Sequence, residues 1–504
     1  MNGPATPRRI VIAGGGTAGW LAAAILTRQL GPFADVTLVE SDEIGTVGVG
    51  ESTIPTVRAF HALIGVDERE FMQATGASFK LGISFENWAR EGDRYIHSFG
   101  DVGQSTWMSD FHHFWLEAQA RGVAEPFGSY CYEHEAAAAD RFAIGGTPAL
   151  NYAYHFDAGR YARFLRGKAE ANGLRRLEGK IDRVVRDTES GDITTLILDD
   201  GTAVAGDLFF DCTGFRALLI GEALGVGFED WGDWLPTNRA LAMQTEATGP
   251  ARPYTRAIAH DAGWRWKIPL HHRVGNGLVY CADYLSDDAA HARLLATVEG
   301  AALIEPRLIR FRTGRRKAAW QHNCVALSLA SGFVEPLEST SIHLIMIALT
   351  RFLQLLPSER PSASAIARFN VQAAQEIEGV RDFIILHYHL TDRDEPFWRD
   401  RRAMTIPDSL SDRIALFRDS ANAYQADHDL FRVASWLQVM LGQRLAAASH
   451  HPLVRLMPSD QLRSALRDMR TTIARSVDGL PSHQVFLDGY VRTAADSGSS
   501  PPEP

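Results

Sequence analysis

The hydrophobic pattern begins with a short apolar run, Arg8 to Ala13, that reads as a strand. Thr17 to Leu30 is rich in Ala and Leu and reads as a helix, and Val36 to Glu40 reads as a second strand. The N-terminus therefore predicts a strand-helix-strand unit. Further strands are expected at "GDLFFDCTG" (206–214), "GNGLVYCADYL" (275–285) and "RLIRFR" (307–312). Residues 80–160 read as a loop-rich, aromatic region without a repeat. In "WRWKIP" (264–269) polar and apolar residues alternate, so a strand here puts Trp264, Trp266 and Ile268 on one face, with Arg265 and Lys267 opposite. From about residue 342 the chain is mainly helical, and the small, polar, proline-rich tail 491–504 is expected to be disordered.

Composition narrows the class. The chain has 504 residues, 45% hydrophobic and 22% charged, an ordinary globular mix large enough for two or three packed units. The net charge is −10 and no Lys/Arg run forms a basic stripe, which argues against nucleic acid as a partner. The most apolar stretch, Ile342 to Leu356, contains His343, Thr350, Arg351 and Gln354 and is shorter than the ~20 residues a membrane span needs. Cys131, Cys212, Cys281 and Cys324 lie far apart, with no C-x-x-C and no metal-ligand spacing, and read as free thiols. "MNGPATPRRIVIAGGG" runs straight into a strand with no signal peptide, so a cytoplasmic enzyme is expected.

"GGGTAG" (14–19) follows the first strand and opens the helix. Gly14, Gly16 and Gly19 fit G-x-G-x-x-G, in which glycine permits the tight turn and lets the backbone approach a pyrophosphate on the helix N-terminus. Glu40 ends the second strand, where a carboxylate can hydrogen-bond ribose hydroxyls. A dinucleotide site is expected, and the downstream "DLFFDCTG" favours FAD over NAD.

Three further stretches carry candidate chemistry. "GVGEST" (48–53) is a glycine loop suited to lying against a flat ring. "SFKLGISFENW" (78–88) sets Lys80 among apolar neighbours, either snorkelling or partly desolvated. In "SGFVEPLESTSIHLIMIAL" (331–349), Glu338 precedes Ser339, Thr340 and Ser341 at the start of an apolar helix, which makes either an N-cap or an anion site.

On these motifs the chain resembles the flavin-dependent tryptophan halogenases, from its first strand to about residue 445. "WRWKIP" is similar to the family's W-x-W-x-I-P, "GVGEST" to its flavin loop, "EPLEST" to the segment holding its glutamate, and "VRDFIILHYHLTDRDEPFW" (380–398) is also family-like. The resemblance implies an α/β fold: an FAD-binding Rossmann-like module over 8–345 with substrate-side segments interleaved at about 80–160, and a mainly helical substrate-side subdomain over 346–490. It implies that reduced FAD, oxygen and chloride or bromide yield hypohalous acid, which a lysine and a glutamate, here Lys80 and Glu338, deliver to an electron-rich arene. It implies FAD contacts at Gly14, Gly16, Thr17, Ala18, Gly19, Glu40, Gly48, Val49, Gly50, Val184, Leu329 and Ile342, and halide contacts at Thr340 and Ser341. It further implies substrate contacts at Ile83, His97 and Phe99, with Trp264, Trp266, Ile268 and Pro269 separating flavin from substrate. A separate flavin reductase is the implied donor of reduced FAD, because no second nucleotide fingerprint is visible. Two departures stand out. Ser341 occupies a position that is usually glycine, and Trp436 and Leu437 stand where a tyrosine pair clamps the backbone of free tryptophan. The second departure points to indole or another electron-rich arene. The rival readings are an FAD-dependent aromatic monooxygenase and a non-catalytic flavin-binding protein.

Overall fold

The computed structural model describes residues 7–43 and 50–492. The expectations for Gly48 and Val49, and for the tail from residue 493 onward, lie outside the described residues.

The first strand, Arg8–Ala13, pairs in parallel with Ala34–Glu40 on one side and Leu208–Asp211 on the other. Arg175–Glu178, Cys324–Ala326 and an antiparallel edge, Trp320–Gln321, complete a six-stranded sheet. Ile10 and Ile12 are buried, as a central parallel strand covered on both faces requires. The helix Thr17–Leu30 is buried almost all round. Its run Ala22–Ala23–Ala24 has the small side chains that let the helix Ala158–Ala171 pack closely against it.

A second sheet has seven strands, in the order Ala302–Arg310, Arg239–Glu246, Arg273–Tyr280, Gly263–Pro269, Thr255–His260, Gly82–Glu86 and Arg94–Ser98. All neighbours are antiparallel except Thr255–His260 and Gly82–Glu86. Region 80–160 is thus more ordered than its sequence suggests. It supplies two strands of this sheet and the helices Phe111–Ala120 and Tyr132–Ala138. The strand Ser78–Lys80 at its start and the strands within it have three to five residues and carry buried Ser78, Lys80, Ser84 and Ser98, so polar residues satisfied inside the fold break the hydrophobic period.

A three-stranded sheet, Gly50–Ser52, Ala153–Asp157 and Ser78–Lys80, sets Ser52 and Ser78 opposite His155. Beyond Ser341–Gln354 the chain is helical as expected, with a 27-residue helix Ala363–His389 at its centre. The helix His483–Val491 returns to the lysine strand, where Phe79 N–H donates to His483 Nε2 at 3.2 Å. No helix among the described residues is long and apolar enough to cross a membrane.

Candidate functional site

At the nucleotide end the glycines are required sterically. Gly14 has φ +106°, and a Cβ there would lie 2.4 Å from the Cys212 carbonyl oxygen. A Cβ on Gly19 would lie 1.9 Å from the Gly14 carbonyl oxygen. Gly15, which the motif leaves free, faces the Glu40 side chain, which a Cβ there would push aside. Around Gly16 nothing lies within 4 Å of the missing Cβ, and no side chain caps the helix that starts at Thr17. Open space before uncapped helix amides, with Ala18 and Gly19 in the first turn, is the cradle a pyrophosphate needs. Glu40 stands at its mouth, bound to Arg176 at 2.6 Å. The residues present fit a dinucleotide. Asp211, in the "DLFFDCTG" stretch, is used internally: its carboxylate accepts from the amides of Thr213, Leu219 and Ile220 and from the Thr213 hydroxyl. Val184 lies on the strand Ile181–Arg186, opposite Leu196. Leu329 sits in the turn Ser328–Ala330, and Ile342 is buried in the first turn of Ser341–Gln354. Gly50 opens the strand beside His155.

Lys80 does not snorkel. It ends the strand Ser78–Lys80, its side chain is fully buried, and Nζ donates to Thr53 O at 3.0 Å and Ser339 Oγ at 2.9 Å. Burial pushes the ammonium down to about 7, against the pull of Glu338. Nζ lies 5.2 Å from the centre of the Phe99 ring. Glu338, in the turn Pro336–Glu338, is buried between two histidines. His97 Nδ1 lies 2.9 Å from its Oε2 and His387 Nε2 3.0 Å from its Oε1. His387 Nδ1 donates to the Phe383 carbonyl at 2.8 Å, which leaves its Nε2 turned toward the carboxylate. Burial opposes ionisation of Glu338, but His97 and His387 overcome it and hold the carboxyl well below the usual carboxylate range.

The two tryptophans share one buried face of Gly263–Pro269, as their alternation predicts. Their ring centres are 6.1 Å apart. Trp264 Nε1 donates to Glu335 Oε2 at 2.9 Å, and the Tyr388 hydroxyl donates to the same oxygen at 2.6 Å. The Trp266 indole lies over Gly277 on the neighbouring strand, where a Cβ would come within 1.9 Å of it.

The tryptophan halogenase family model matches residues 9–459. The chain belongs to the tryptophan halogenase family. It is 35% identical to a tryptophan 6-halogenase of Streptomyces toxytricini, with 95% of this chain and 98% of that one aligned. It is 34% identical to a tryptophan 7-halogenase of Lentzea aerocolonigenes, with the same coverage. Among solved structures it superposes on a flavin-dependent halogenase from Xanthomonas campestris with TM-score 0.95 and 52% identity, over 99% of this chain and all of that one.

In this flavin-dependent halogenase the helix Ser341–Gln354 starts without a capping side chain. Thr340 Oγ1, at its N-cap, is buried and has no partner. An unused hydroxyl beside free helix-start amides, the Ser341 N–H among them, is an arrangement that suits a small anion. Of the residues expected to contact the substrate, Ile83 lies directly opposite His97 across the strand pair. The His97 ring is 5.5 Å from Phe383 and 6.2 Å from Phe431, which stack on each other at 3.7 Å. Trp436 packs edge-on against Phe383 at 4.8 Å, with the Arg413 guanidinium 4.4 Å from its ring centre. Gln438 ties this helix, Val433–Gly442, to the His97 strand by accepting from the Ser98 amide and hydroxyl. Sequence reasoning missed His387, Glu335 and Gly277. The first two lie inside quoted motifs, "IILHYHL" and "EPLEST", where burial of an ionisable residue among apolar ones was the available signal.

Proposed function

We propose that this halogenase uses reduced FAD, oxygen and chloride or bromide to halogenate an indole-like arene, with Lys80 presenting the halogen and Glu338 assisting. A separate flavin reductase supplies the reduced cofactor. The bound flavin supplies the oxidation of halide to hypohalous acid. Thr340 and Ser341 hold the halide at the helix start. Trp264, Trp266, Ile268 and Pro269 form an apolar wall that keeps the organic substrate from the flavin.

The observation that carries this reading is the buried Lys80 beside a carboxylate held ionised. With a lysine that titrates near neutral pH, Nζ can hydrogen-bond hypohalous acid as an ammonium or take up halogen as an amine. Glu338 stabilises the cationic ring that electrophilic attack produces and accepts its proton. His97 and Phe99 orient the arene. The test is an assay of the full chain with reduced FAD, oxygen, indole and either chloride or bromide, read by mass spectrometry. Halogenated indole is expected, and it is lost in Lys80→Ala, which still binds FAD. Hydroxylated product independent of halide, or undiminished turnover of Lys80→Ala, contradicts the proposal.

A further inference from the structure

Behind Lys80 a set of buried polar groups, with half-buried Ser52 among them, forms one hydrogen-bonded chain whose donors and acceptors assign themselves from one end. Its far end is the Pro269 carbonyl, which can only accept. Ser78 Oγ lies 2.5 Å from that oxygen, so its single proton sits between them. Only lone pairs remain on Ser78 Oγ for His155 Nδ1 at 3.1 Å, which fixes the ring proton on Nδ1. His155 is fully buried, and burial followed by the charge of Lys80 and the proximity of His483 keeps it neutral. Its Nε2 is therefore bare and accepts from Thr255 Oγ1 at 2.9 Å. Thr255, its proton so used, accepts from Ser52 Oγ at 2.9 Å. Ser52 accepts from Ser339 Oγ at 3.1 Å. Ser339 is thus left to face Lys80 Nζ at 2.9 Å as an acceptor. The other contact of Nζ, the Thr53 carbonyl, also only accepts.

We propose that Thr255 and His155 are positioning residues that lock the Ser339 hydroxyl as an acceptor, so that no protein group donates into the Lys80 nitrogen. Two of its three positions are then held by Thr53 and Ser339, and the third is left free, with the Phe99 ring centre 5.2 Å from Nζ. That third position is an N–H when Lys80 is charged and the lone pair when it is neutral. The assignment rests on Lys80 being the halogen-presenting group. It adds that the group's orientation is set from outside the pocket, by a chain ending on Pro269 of the tryptophan strand. The ionisable groups packed around Lys80 are Glu338 and, across the lysine strand, His155 and His483, with Glu51 one residue before Ser52.

Thr255→Val removes one hydroxyl at nearly constant volume. Ser52 and Ser339 are then free to turn, and Ser339 can donate to the neutral amine. Hydrogen bonding to the neutral form and loss of the polarised chain both disfavour the ammonium. The sequence holds five lysines, Lys80, Lys168, Lys180, Lys267 and Lys317, so 13C labelling at the lysine ε carbons resolves each by NMR. In full-length Thr255→Val the Lys80 titration midpoint is expected to fall below that of the unaltered chain. Halogenation is expected to drop about fivefold to tenfold, the loss of roughly one hydrogen bond. Thr255→Ser, which keeps the hydroxyl, restores both, and His155→Phe moves the midpoint in the same direction as Thr255→Val. An unmoved midpoint in Thr255→Val overturns the proposal. So does an equal loss in the Val and Ser variants with a lowered thermal midpoint, which would make Thr255 a packing residue. The NMR midpoint does not depend on turnover, so it can fail while Lys80→Ala still abolishes halogenation, or hold while that test fails.

Discussion

Lys80 concentrates the residue-scale chemistry, and its burial has a measurable consequence. The ordinary lysine value is 10.5, and in the folded chain burial brings it to about 7 despite Glu338. Below about pH 7 both folded and unfolded chains hold the proton, and folding carries the full cost of burying the charge. Between about 7 and 10.5 only the unfolded chain still binds it, so this residue makes stability rise with pH across that window. Lys80→Met has no such group. The stability of the unaltered chain minus that of Lys80→Met is therefore expected to increase from pH 7 to 10, by at most about 1.4 kcal/mol per unit. Denaturant titration at several pH values measures the difference, and a flat or falling difference would show that Lys80 keeps its ordinary affinity for protons. The identity of Lys80 and Glu338 was legible as motif residues. Their environment was not, because Thr53, His97, Ser339 and His387 reach them from four separate parts of the chain.

For the elements, legibility followed regularity. The N-terminal unit and the tryptophan strand have clean periods, and the structure has them close to where the pattern puts them: Arg8–Ala13, Thr17–Leu30, Ala34–Glu40 and Gly263–Pro269. The strand expected at 275–285 begins and ends earlier, at Arg273–Tyr280, and the one expected at 307–312 runs from Ala302 to Arg310. Neither apolar run carries a boundary signal of its own, so pairing with Arg239–Glu246 decides their ends. That pairing also explains Gly277. The glycine is dispensable for a lone strand, but here it makes room for the Trp266 indole of the next one. Gly277→Ala puts a methyl about where the ring now lies, so the indole must shift or the strands must part. The expected result is less halogenated product per oxygen consumed, together with an altered near-ultraviolet circular dichroism signal from the tryptophans. Unchanged coupling and an unchanged spectrum would mean that the wall tolerates displacement of Trp266, and that its position matters less than the W-x-W-x-I-P motif implies.

On the scale of the whole molecule, the fold brings three distant stretches together around His97: the strand that bears it, the long helix bearing Phe383, and the segment from Phe431 through the helix bearing Trp436 and Leu437. The surfaces they present around His97 are aromatic or aliphatic. Trp436 and Leu437 are both buried, and Trp436 offers one N–H, which has no partner. Of the nearby charges, Arg413 is engaged by Asp429 and the Tyr424 carbonyl, and Glu338 is held by His97 and His387. A free amino acid entering this pocket would strip water from an ammonium and a carboxylate without two phenol hydroxyls to replace it, at about 1–3 kcal/mol or more per unsatisfied group. Indole has no charge to desolvate and, on the proposed reading, keeps whatever ring contacts His97 and Phe99 offer. With both substrates at equal concentration in one tube, haloindole is therefore expected to exceed halotryptophan by about tenfold or more, since ~1.4 kcal/mol corresponds to a factor of ten. Mass spectrometry reads the ratio directly. Halotryptophan as the main product would mean that other groups of the chain hold the amino-acid backbone, and that the aromatic wall at Trp436 does not decide the substrate.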